Sequence, residues 1–499
     1  MQTIWDLLAK ADPARALLRD GGQNFSVAQV RTQAAAIGAW LSQNGVGAGD
    51  RVAVHLPRSA DEAMLTFAIA YAGGVVVNLN YQWTADQLSY AVQDCDARIL
   101  FTTQQKARAL TKAGHERLFE HLLIKEEAWP EATGDPVPRA ANDLAALLYT
   151  SGSTGSPKGV MVSHQNLLDG ARIVSAYLGL TAGDKILGLL PPSFDYGLNQ
   201  ILSAAYVGAE WVAHAVPMPA EIAKAVKSEG VTVLPLVAPS WMALSHYLGA
   251  AEETLPGLRL VTNTGGKISD GVLATLPTQL PNAEIVLMYG LTEAFRSTYL
   301  PPHLYDTKRG SIGHAIPDVE IFVVHEDKGL CEPGEVGELV HRGALISQGY
   351  WGKPDQSARI IRSNPHLNHL IGDEPVCHSG DLVRADEDGI LWYVGRADGM
   401  IKSSGFRMSP TEIEDILLRC PGVKEAVVWG ESDEELGQKV IAALSGDAAE
   451  ADLRKFCRAN MPSYMVPGHF WLSPAVFPRT GNGKIDREQV RAAAQSSDN

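Results

Sequence analysis

The sequence feature that most constrains this chain is a loop rich in hydroxyl side chains and glycine, Tyr149–Gly159, which reads YTSGSTGSPKG. It follows an apolar run, Leu144–Leu148, whose length is typical of a buried strand. Hydroxyl groups, unobstructed backbone N–H groups and the cation of Lys158 are the donors that bind a polyphosphate. Lys158 lies between Pro157 and Gly159 and is not followed by a hydroxyl residue opening a helix, so the pattern excludes a P-loop kinase or GTPase.

Size and charge narrow the classes of protein that carry such a loop. A chain of 499 residues exceeds what one hydrophobic core usually supports, so we expect two or more folded units. Hydrophobic residues make up 45% and charged residues 20%, which is ordinary for a globular enzyme. The net charge of −15 disfavours nucleic acid and anionic membranes as partners, because both repel an acidic surface.

The sequence gives no sign of a targeting or membrane segment. Residues 1–20 lack the layout of a signal peptide, and the longest apolar stretch, Met64–Val77, is too short to span a bilayer. The five cysteines are scattered without CxxC spacing, which indicates neither a disulfide framework nor a zinc site. We therefore expect a cytoplasmic protein with reduced thiols and no membrane span.

Strand-like and helix-like segments alternate through the first three hundred residues. Before the loop the pattern predicts strands at Arg51–Leu56, Val75–Val77 and Ala97–Phe101 and helices at Asp61–Ala72 and Thr84–Gln93. After the loop it predicts strands at Lys185–Leu190, Val231–Pro235, Leu260–Thr262 and Glu284–Met288 and helices at Ala220–Ser228 and Ser240–Leu248. This alternation predicts an α/β fold with two parallel-type sheets covered by helices.

The residue pattern of the sequence changes twice after the first three hundred residues. Between Gly310 and Val394 it becomes β-rich and punctuated by glycine, which predicts a small β-barrel layer beside the two sheets. A boundary near Asp398 divides an N-terminal body, residues 1–397, from a small α+β lid, residues 398–499. The lid pattern predicts helices at Pro410–Leu418 and Ala451–Arg458 and strands at Glu425–Trp429 and Val440–Leu444.

Five further motifs follow the loop in a fixed order. They are NTGGK at Asn263–Lys267, YGLTE at Tyr289–Glu293, HSGD at His378–Asp381, GRADGMIKSSGFR at Gly395–Arg407 and PRTGNGKID at Pro478–Asp486. Together with the loop they resemble the adenylate-forming superfamily, which comprises acyl-CoA synthetases, free-standing and modular amino-acid adenylation domains and luciferases. The resemblance runs from about Leu144 to Asp486. It implies a large α/β body carrying a mobile C-terminal lid.

The resemblance implies a role in ATP binding for residues of each motif. The β- and γ-phosphates would be held by Thr150, Ser151, Ser153, Thr154 and Lys158, and the nucleotide also by Gly265, Gly266, Tyr289, Asp381, Arg396 and Arg407. Thr292 would contact the α-phosphate, and Glu293 would hold Mg²⁺, a hard cation that prefers carboxylate and phosphate oxygens. For Asn263–Lys267 taken alone, a simple turn between strand and helix explains the residues equally well.

Three more positions would serve the two steps of catalysis. By resemblance Lys484 is the catalytic lysine, whose ammonium would stabilise the substrate carboxylate and the α-phosphate as they approach. Asp398 would be the hinge of the lid, and the small neighbour Gly399 suits a large change of backbone angles. Gly405 would line the tunnel that admits a thiol, because a glycine lets a pantetheine arm pass close to the backbone.

The acid substrate is indicated by three residues, Asp195, Asn199 and Thr264. In amino-acid-activating relatives an aspartate after Phe at this place binds the substrate ammonium, whereas many fatty and aryl acyl-CoA synthetases carry histidine there. Asp195 therefore favours an amine-bearing acid. A second interpretation remains open, because aspartate is a favoured N-cap and a helix is predicted from about Tyr196.

The motifs together predict an AMP-forming acid–thiol ligase that uses ATP and Mg²⁺. The thiol acceptor would be the phosphopantetheine of a carrier protein supplied in trans, or coenzyme A. The alternatives are an acyl-CoA synthetase for a fatty or aryl acid, a non-catalytic nucleotide-binding relative, and an amide-forming or oxidative member of the superfamily. Intact Lys158, Glu293, Asp381 and Lys484 oppose the non-catalytic alternative.

Overall fold

The computed structural model describes residues 2–150, 157–397, 399–403, 406–433, 437–462, 465–480 and 483–497. The chain divides into two compact units, residues 1–321 with 341–377 and residues 322–340 with 378–499. The boundary that the sequence predicts at residue 398 stays a prediction. Among the described helices, none is both long and apolar enough to cross a bilayer.

The first part of the chain forms most of one sheet and its covering helices. Its helices are α1 Asp6–Lys10, α2 Val27–Gln43, α3 Ala60–Tyr71, α4 Ala85–Cys95 and α5 Gln104–Ala113. Its strands are β1 Ala16–Asp20, β2 Gln23–Ser26, β3 Arg51–Val54, β4 Val75–Asn78, β5 Ile99–Thr102, β6 His121–Ile124 and β7 Leu144–Thr150.

The chain continues through most of a second sheet. The strands are β8 Lys158–Ser163, β9 Lys185–Gly188, β10 Glu210–Ala213, β11 Val233–Val237, β12 Leu260–Thr264, β13 Glu284–Tyr289, β14 Thr298–Leu300 and β15 His314–Ala315. The helices are α6 His164–Tyr177, α7 Asp195–Val207, α8 Pro219–Glu229, α9 Ala238–Ala250 and α10 Asp270–Gln279.

The β-rich part and the C-terminal part complete the chain. The β-rich part contains β16 Val319–His325, β17 Gly329–Leu330, β18 Val336–Gly343, α11 Pro354–Ile360, β19 Ile361–Arg362, α12 Asn368–Ile371, β20 Val376–Ala385 and β21 Leu391–Arg396. The C-terminal part contains β22 Ile401–Ser403, β23 Phe406–Met408, α13 Pro410–Leu417, β24 Val423–Asp433, β25 Gly437–Gly446, α14 Glu450–Asn460, β26 His469–Ser473 and α15 Arg487–Ser497.

Nine described strands form one sheet, in the order β15-β14-β13-β12-β11-β9-β10-β1-β2, and six form another, β6-β5-β3-β4-β7-β8. The neighbours from β13 to β1 and from β6 to β7 are parallel. The edges β2, β8, β14 and β15 are antiparallel. The predicted α/β fold is confirmed, with mixed rather than purely parallel sheets.

In most of the parallel strands, successive residues enter different cores, which is why these strands appear in the sequence as continuous apolar runs. In β3, Val52 and Val54 pack in the core that contains residues of α2 and α3, while Ala53 packs in the core that contains residues of α4 and α5. In β9, Ile186 and Leu187 are divided between two cores in the same way. Helices therefore cover both faces of both sheets, as the alternation predicts.

The C-terminal part differs from its predicted pattern in one respect. The predicted strands at Glu425–Trp429 and Val440–Leu444 are the centres of β24 and β25, which form an antiparallel pair. The third strand, β26, pairs in parallel with β25, and α14 lies between these two strands in the chain. The segment β25–α14–β26 is therefore a βαβ unit. Sequence reasoning did not find β26. The β-rich part forms a sheet of order β17-β16-β18-β20-β19 with β21 on β20, and its barrel-like form stays a prediction.

A buried carboxyl group lies near the start of α3. Ser59 caps this helix by accepting a hydrogen bond from the backbone N–H of Glu62, whose side chain is buried. Burial raises the pKa of Glu62 to about 7, although Arg58 and Lys125 act in the opposite direction. The carboxyl group is therefore kept largely protonated below neutral pH.

This burial predicts a pH-dependent difference between the wild type and Glu62→Gln. An unfolded chain releases the Glu62 proton near its ordinary pKa of 4.5, so between that pH and about 7 the folded state binds more protons. Wild-type stability should fall relative to the variant through this window, by up to about 3 kcal/mol, and level off above it. Urea unfolding of both proteins across the pH range measures the difference, and a difference that does not change with pH would contradict the assignment.

Candidate active site

The hydroxyl-rich loop connects two antiparallel strands. Thr150, the last residue of β7, is paired with Lys158, the first residue of β8. Residues Ser151, Ser153 and Thr154 lie outside the described residues. At the base of the loop the buried Tyr149 hydroxyl donates to Asp94 Oδ2 at 2.8 Å. This contact holds the strand that delivers the loop.

A distant segment of the chain, residues 347–351, lies beside β8 and brings Tyr350 to the loop lysine. The backbone N–H of Met161 donates to the Gly349 carbonyl, and that of Trp351 to the Gly159 carbonyl, both at 2.8 Å. These bonds place Lys158 Nζ 5.4 Å from the centroid of the Tyr350 ring, within the range of a cation–π contact.

The same tyrosine reaches the predicted metal-binding carboxylate. Its hydroxyl donates to Glu293 Oε1 at 2.6 Å, and the backbone N–H of Ser347 donates to the Glu293 carbonyl at 2.8 Å. Lys158, Tyr350 and Glu293 therefore form one contact chain, although they are far apart in sequence. Tyr350 was missed by sequence reasoning because it belongs to no motif.

Glu293 fits the metal chemistry expected of it. No group of three or more His, Cys, Asp or Glu side chains suited to a metal occurs among the described residues. A cation held by Glu293 would therefore need further oxygen ligands from bound phosphate and water, as Mg²⁺ in nucleotide sites does. Lys158, a cation, contacts the ring of the same tyrosine whose hydroxyl bonds Glu293.

Two neighbouring strands end beside this contact chain. Asn263–Lys267 begins in β12 and Tyr289–Glu293 begins in β13, and these strands are adjacent and parallel. In the first turn Asn263 Nδ2 donates to the Gly266 carbonyl at 2.9 Å, and Gly265 has a φ of 76°, a left-handed angle that favours glycine. Both motifs thus lie at the carboxyl edge of the sheet, where open α/β folds bind ligands.

The predicted acid-binding residues are all buried. Asp195 is the first residue of α7, and Phe194 occupies the N-cap position. Within the described residues, no side chain forms a cap hydrogen bond at the start of this helix. The N-cap interpretation of Asp195 is therefore wrong. Asn199 lies one helical turn further on, where its Oδ1 accepts a 3.4 Å bond from Ser203, and Thr264 ends β12.

The structure adds a residue to this group that sequence reasoning missed. Arg296 is 1% exposed, and its Nη1 donates to the Asp195 carboxylate and, at 2.5 Å, to the Phe295 carbonyl. The sequence signal was a single cation three residues after Glu293, between Phe295 and Ser297. The carboxylate predicted to bind a substrate ammonium thus already pairs with a buried guanidinium.

In the second unit the structure brings Asp381 and Arg396 together. They are paired across β20 and β21, and Arg396 Nη1 donates to Asp381 Oδ1 at 3.2 Å and to the Ser379 carbonyl at 3.0 Å. Glu338 fixes the turn before Asp381 by accepting bonds of 2.9 Å from His378 Nδ1 and from the backbone N–H of Gly380. Sequence reasoning gave His378 no role and did not find Glu338.

Lys484 lies exposed on a turn that is tied at its base. The backbone N–H of Thr480 donates to the Lys484 carbonyl at 2.7 Å, and that of Asp486 to the Pro478 carbonyl at 2.8 Å. The buried Glu425 anchors the turn by accepting bonds from Arg479 and from the backbone N–H of Phe477. Asp398 and Gly405 lie outside the described residues, and only the backbone of Arg407, in β23, is described.

The polar turns after β12 and β13 lie at the carboxyl edge of the nine-stranded sheet, where open α/β folds such as nucleotide-binding proteins bind their ligands. The family model described as AMP-binding enzyme matches residues 6–351, and the model described as AMP-binding enzyme C-terminal domain matches residues 412–484. The chain belongs to the AMP-binding enzyme family.

Individual relatives cover the chain almost completely. Novobiocin biosynthesis protein H of Streptomyces niveus is 29% identical over 97% of this chain and 81% of its own length. Delta-poly-L-ornithine synthetase of Acinetobacter baumannii is 30% identical over 98% of this chain, which spans only 36% of that protein. The solved structure of ATP-bound MatB from Rhodopseudomonas palustris covers 100% of both chains with a TM-score of 0.89 at 24% identity, a likeness of fold.

The anchored turn predicts a local effect for Glu425→Ala. The change leaves the N–H of Phe477 and the guanidinium of Arg479 without their acceptor, which should cost the second unit roughly 1–3 kcal/mol. Amide hydrogen exchange in residues 477–486 should become faster, whereas Lys424→Ala, at the exposed neighbouring position, should leave it unchanged. Equal exchange in the two variants would show that Glu425 does not hold the turn.

Proposed function

We propose that this protein activates a carboxylic acid with ATP as an acyl-adenylate and then transfers the acyl group to a pantetheine thiol. In the first step a carboxylate oxygen attacks the α-phosphorus and pyrophosphate leaves. In the second step a thiol sulfur attacks the acyl carbonyl and AMP leaves. The observation that carries the proposal is the contact chain of Lys158, Tyr350 and Glu293 in a member of the AMP-binding enzyme family.

The contact chain suits the departure of pyrophosphate. Lys158, with Thr150 and the loop hydroxyls of Ser151, Ser153 and Thr154, would hold the β- and γ-phosphates. Glu293 would hold Mg²⁺, which neutralises phosphate charge when bound. Because the hydroxyl of Tyr350 orients the carboxylate while its ring contacts the lysine, one side chain aligns both groups before ATP binds.

The roles of the other nucleotide-binding residues are carried over from the family motifs. Gly265 and Gly266 would allow adenine to approach the backbone, Tyr289 would stack on its ring, and Thr292 would contact the α-phosphate. Asp381 would accept hydrogen bonds from the ribose hydroxyls, a task that suits a carboxylate with two acceptor oxygens. Arg396 and Arg407 would add positive charge towards the nucleotide.

The catalytic lysine would act in the first half-reaction, and rotation of the lid would allow the second. Lys484, on its tied but exposed turn, would stabilise the substrate carboxylate and the α-phosphate during adenylation. Rotation of the lid, residues 398–499, about Asp398 would then bring Gly405 to the thiol tunnel. These roles are carried over from the family motifs.

The acceptor has two candidate sources. The resemblance to amino-acid adenylation domains favours a carrier protein, and the relatives include surfactin synthase subunit 2 of Bacillus subtilis. Structural neighbours named as coenzyme A synthetases, such as MenE of Bacillus subtilis, favour coenzyme A. Both present the same pantetheine thiol, so the chemistry of the transfer is shared.

The proposal is tested by acid-dependent ATP–pyrophosphate exchange over a panel of amino, aryl, fatty and dicarboxylic acids. At least one acid should support exchange, and Glu293→Gln should reduce that rate by roughly a hundredfold or more because a key charge contact is lost. Addition of coenzyme A or of pantetheinylated carrier proteins then identifies the acceptor. Absence of exchange with every acid class would overturn the assignment.

Tyr350→Phe should separate the two contacts of this tyrosine. The ring stays beside Lys158 while the hydrogen bond to Glu293 is lost, so exchange should fall by roughly ten- to a hundredfold and the requirement for Mg²⁺ should rise. Tyr206→Phe, at a partly exposed position, is the matched control and should behave as the wild type. If Tyr350→Phe requires no more Mg²⁺ than the wild type, the proposal that Glu293 holds the metal would be contradicted.

Lys484→Ala should affect one half-reaction only. Loss of one preorganised ammonium should cost adenylation on the order of 3 kcal/mol, roughly a hundredfold or more in rate. Thioester formation from supplied acyl-adenylate should stay near the wild-type rate. An equal loss in both half-reactions, measured with the same preparation, would remove Lys484 from the adenylation step.

A further inference from the structure

The guanidinium of Arg296 has unused hydrogen-bonding capacity in a buried place. Its Nη1 is committed to Asp195 and to the Phe295 carbonyl, whereas within the described residues neither Nε nor Nη2 has a hydrogen-bond partner. Arg296 is only 1% exposed. A buried donor without an acceptor is destabilising, and native proteins contain few such donors.

The two unused nitrogens form a particular edge of the guanidinium. The N–H of Nε and one N–H of Nη2 are parallel, which matches the two oxygens of a carboxylate. Arg259 uses this edge on Asp184. Arg342 donates from Nε and Nη2 to one oxygen of Glu374, Oε2, while its Nη1 binds Glu320. Arg296 has the same Nη1 arrangement with the edge still available.

The surroundings hold Arg296 in a fixed orientation. Its guanidinium carbon lies 4.9 Å from the ring centroid of Tyr196 and 5.4 Å from that of Phe295. Phe295 itself has a φ of 54°, an angle that is unusual for a bulky residue and tends to occur at functional sites. A side chain at Gly170 would meet this ring, with a Cβ 2.5 Å from Phe295 Cε1, so glycine there gives the ring its room.

The position of the edge associates it with the acid substrate. Arg296 follows Glu293 by three residues, and its partner Asp195 begins the helix that follows β9. Asn199, one turn along that helix, adds a buried Nδ2 that lacks a partner among the described residues. The unused groups on Arg296 and Asn199 are donors, and they lie near the carboxyl edge that binds ligands in such folds.

This arrangement opposes the binding of an ammonium group by Asp195. An ammonium that displaced Arg296 would leave a guanidinium buried without its carboxylate, and breaking a buried ion pair in this way is strongly destabilising. A second carboxylate on the substrate would instead complete the arrangement that Arg342 already shows.

We infer that Arg296 is a specificity-determining residue that binds a second carboxylate of the substrate, so that the enzyme activates a dicarboxylic acid. The inference rests on the proposed adenylation, since it concerns the acid that the same site activates. Asp195 is then a positioning residue that holds Nη1 and turns the Nε–Nη2 edge towards the substrate.

The test compares dicarboxylic acids of graded length with their monomethyl esters and with amino acids of similar length in ATP–pyrophosphate exchange. The ester keeps the skeleton and one reactive carboxylate but removes the second charge. For the preferred length, the wild type should use the diacid roughly ten- to a hundredfold better in kcat/KM, mainly through KM.

Two variants separate the roles of the pair. Arg296→Lys keeps a cation for Asp195 but lacks the parallel donors, so the ratio of diacid to ester should fall at least about tenfold. Asp195→Asn leaves the Nε–Nη2 edge of Arg296 in place, so the ratio of diacid to ester should stay the same or rise. If Asp195 instead binds a substrate ammonium, the same variant should lose its activity with amino acids. Arg342→Lys, the same change at an exposed arginine, is the control and should keep the wild-type ratio.

The outcomes distinguish this inference from the proposed function. If the wild type prefers amino acids or uses esters as well as diacids, the inference is overturned while adenylation stands. If Arg296→Lys fails to fold, as shown by its thermal unfolding, the wild-type ratio and Asp195→Asn still decide. If no acid of any class supports exchange, both the proposed function and this inference are wrong.

Discussion

The candidate site in the larger unit depends on the burial of parallel strands on both faces. A strand buried in this way must continue into a loop at the carboxyl edge of its sheet before the chain returns through a helix. Strands β12 and β13 end side by side, so the turn at Asn263–Lys267 and the segment Tyr289–Glu293 lie at one edge. The positions of the polar residues are a consequence of the apolar ones.

A second constraint is the way the protein handles charge that is removed from water. Asp184 pairs with both Nε and Nη2 of Arg259. Burial acts to raise the pKa of Asp184, but the hydrogen bonds from Arg259, Thr181 and Thr232 and the charge of Arg259 together lower it. Glu62 makes a looser ion pair, with Arg58 Nη1 3.9 Å from its Oε1, and its pKa is raised because burial outweighs that pairing. Asp195 and Arg296 are a buried pair in which the cation keeps unused donors. That imbalance makes Arg296, among these buried charges, the one suited to an anionic ligand.

Much of the fold could be predicted because its signals are local. The predicted segments within β3, β4, β9, β11, β12 and β13 agree with the structure to within a few residues, since runs of apolar residues bounded by glycine and polar turns mark buried strands. The strand β26 was missed because its five residues, HFWLS, carry too short a pattern to separate them from a loop. The N-cap interpretation of Asp195 was wrong because a helix start can be recognised from sequence more readily than its exact first residue.

The sequence by itself determined the family, the α/β class and the order of the motifs, because each motif is a continuous string whose residues act together. Only the tertiary structure decided which side chains complete those motifs. Tyr350 contacts Lys158 because residues 347–351 pair with β8, and Arg296 meets Asp195 although the two are a hundred positions apart in the chain. Such contacts depend on long-range packing, and no local pattern in one sequence records them.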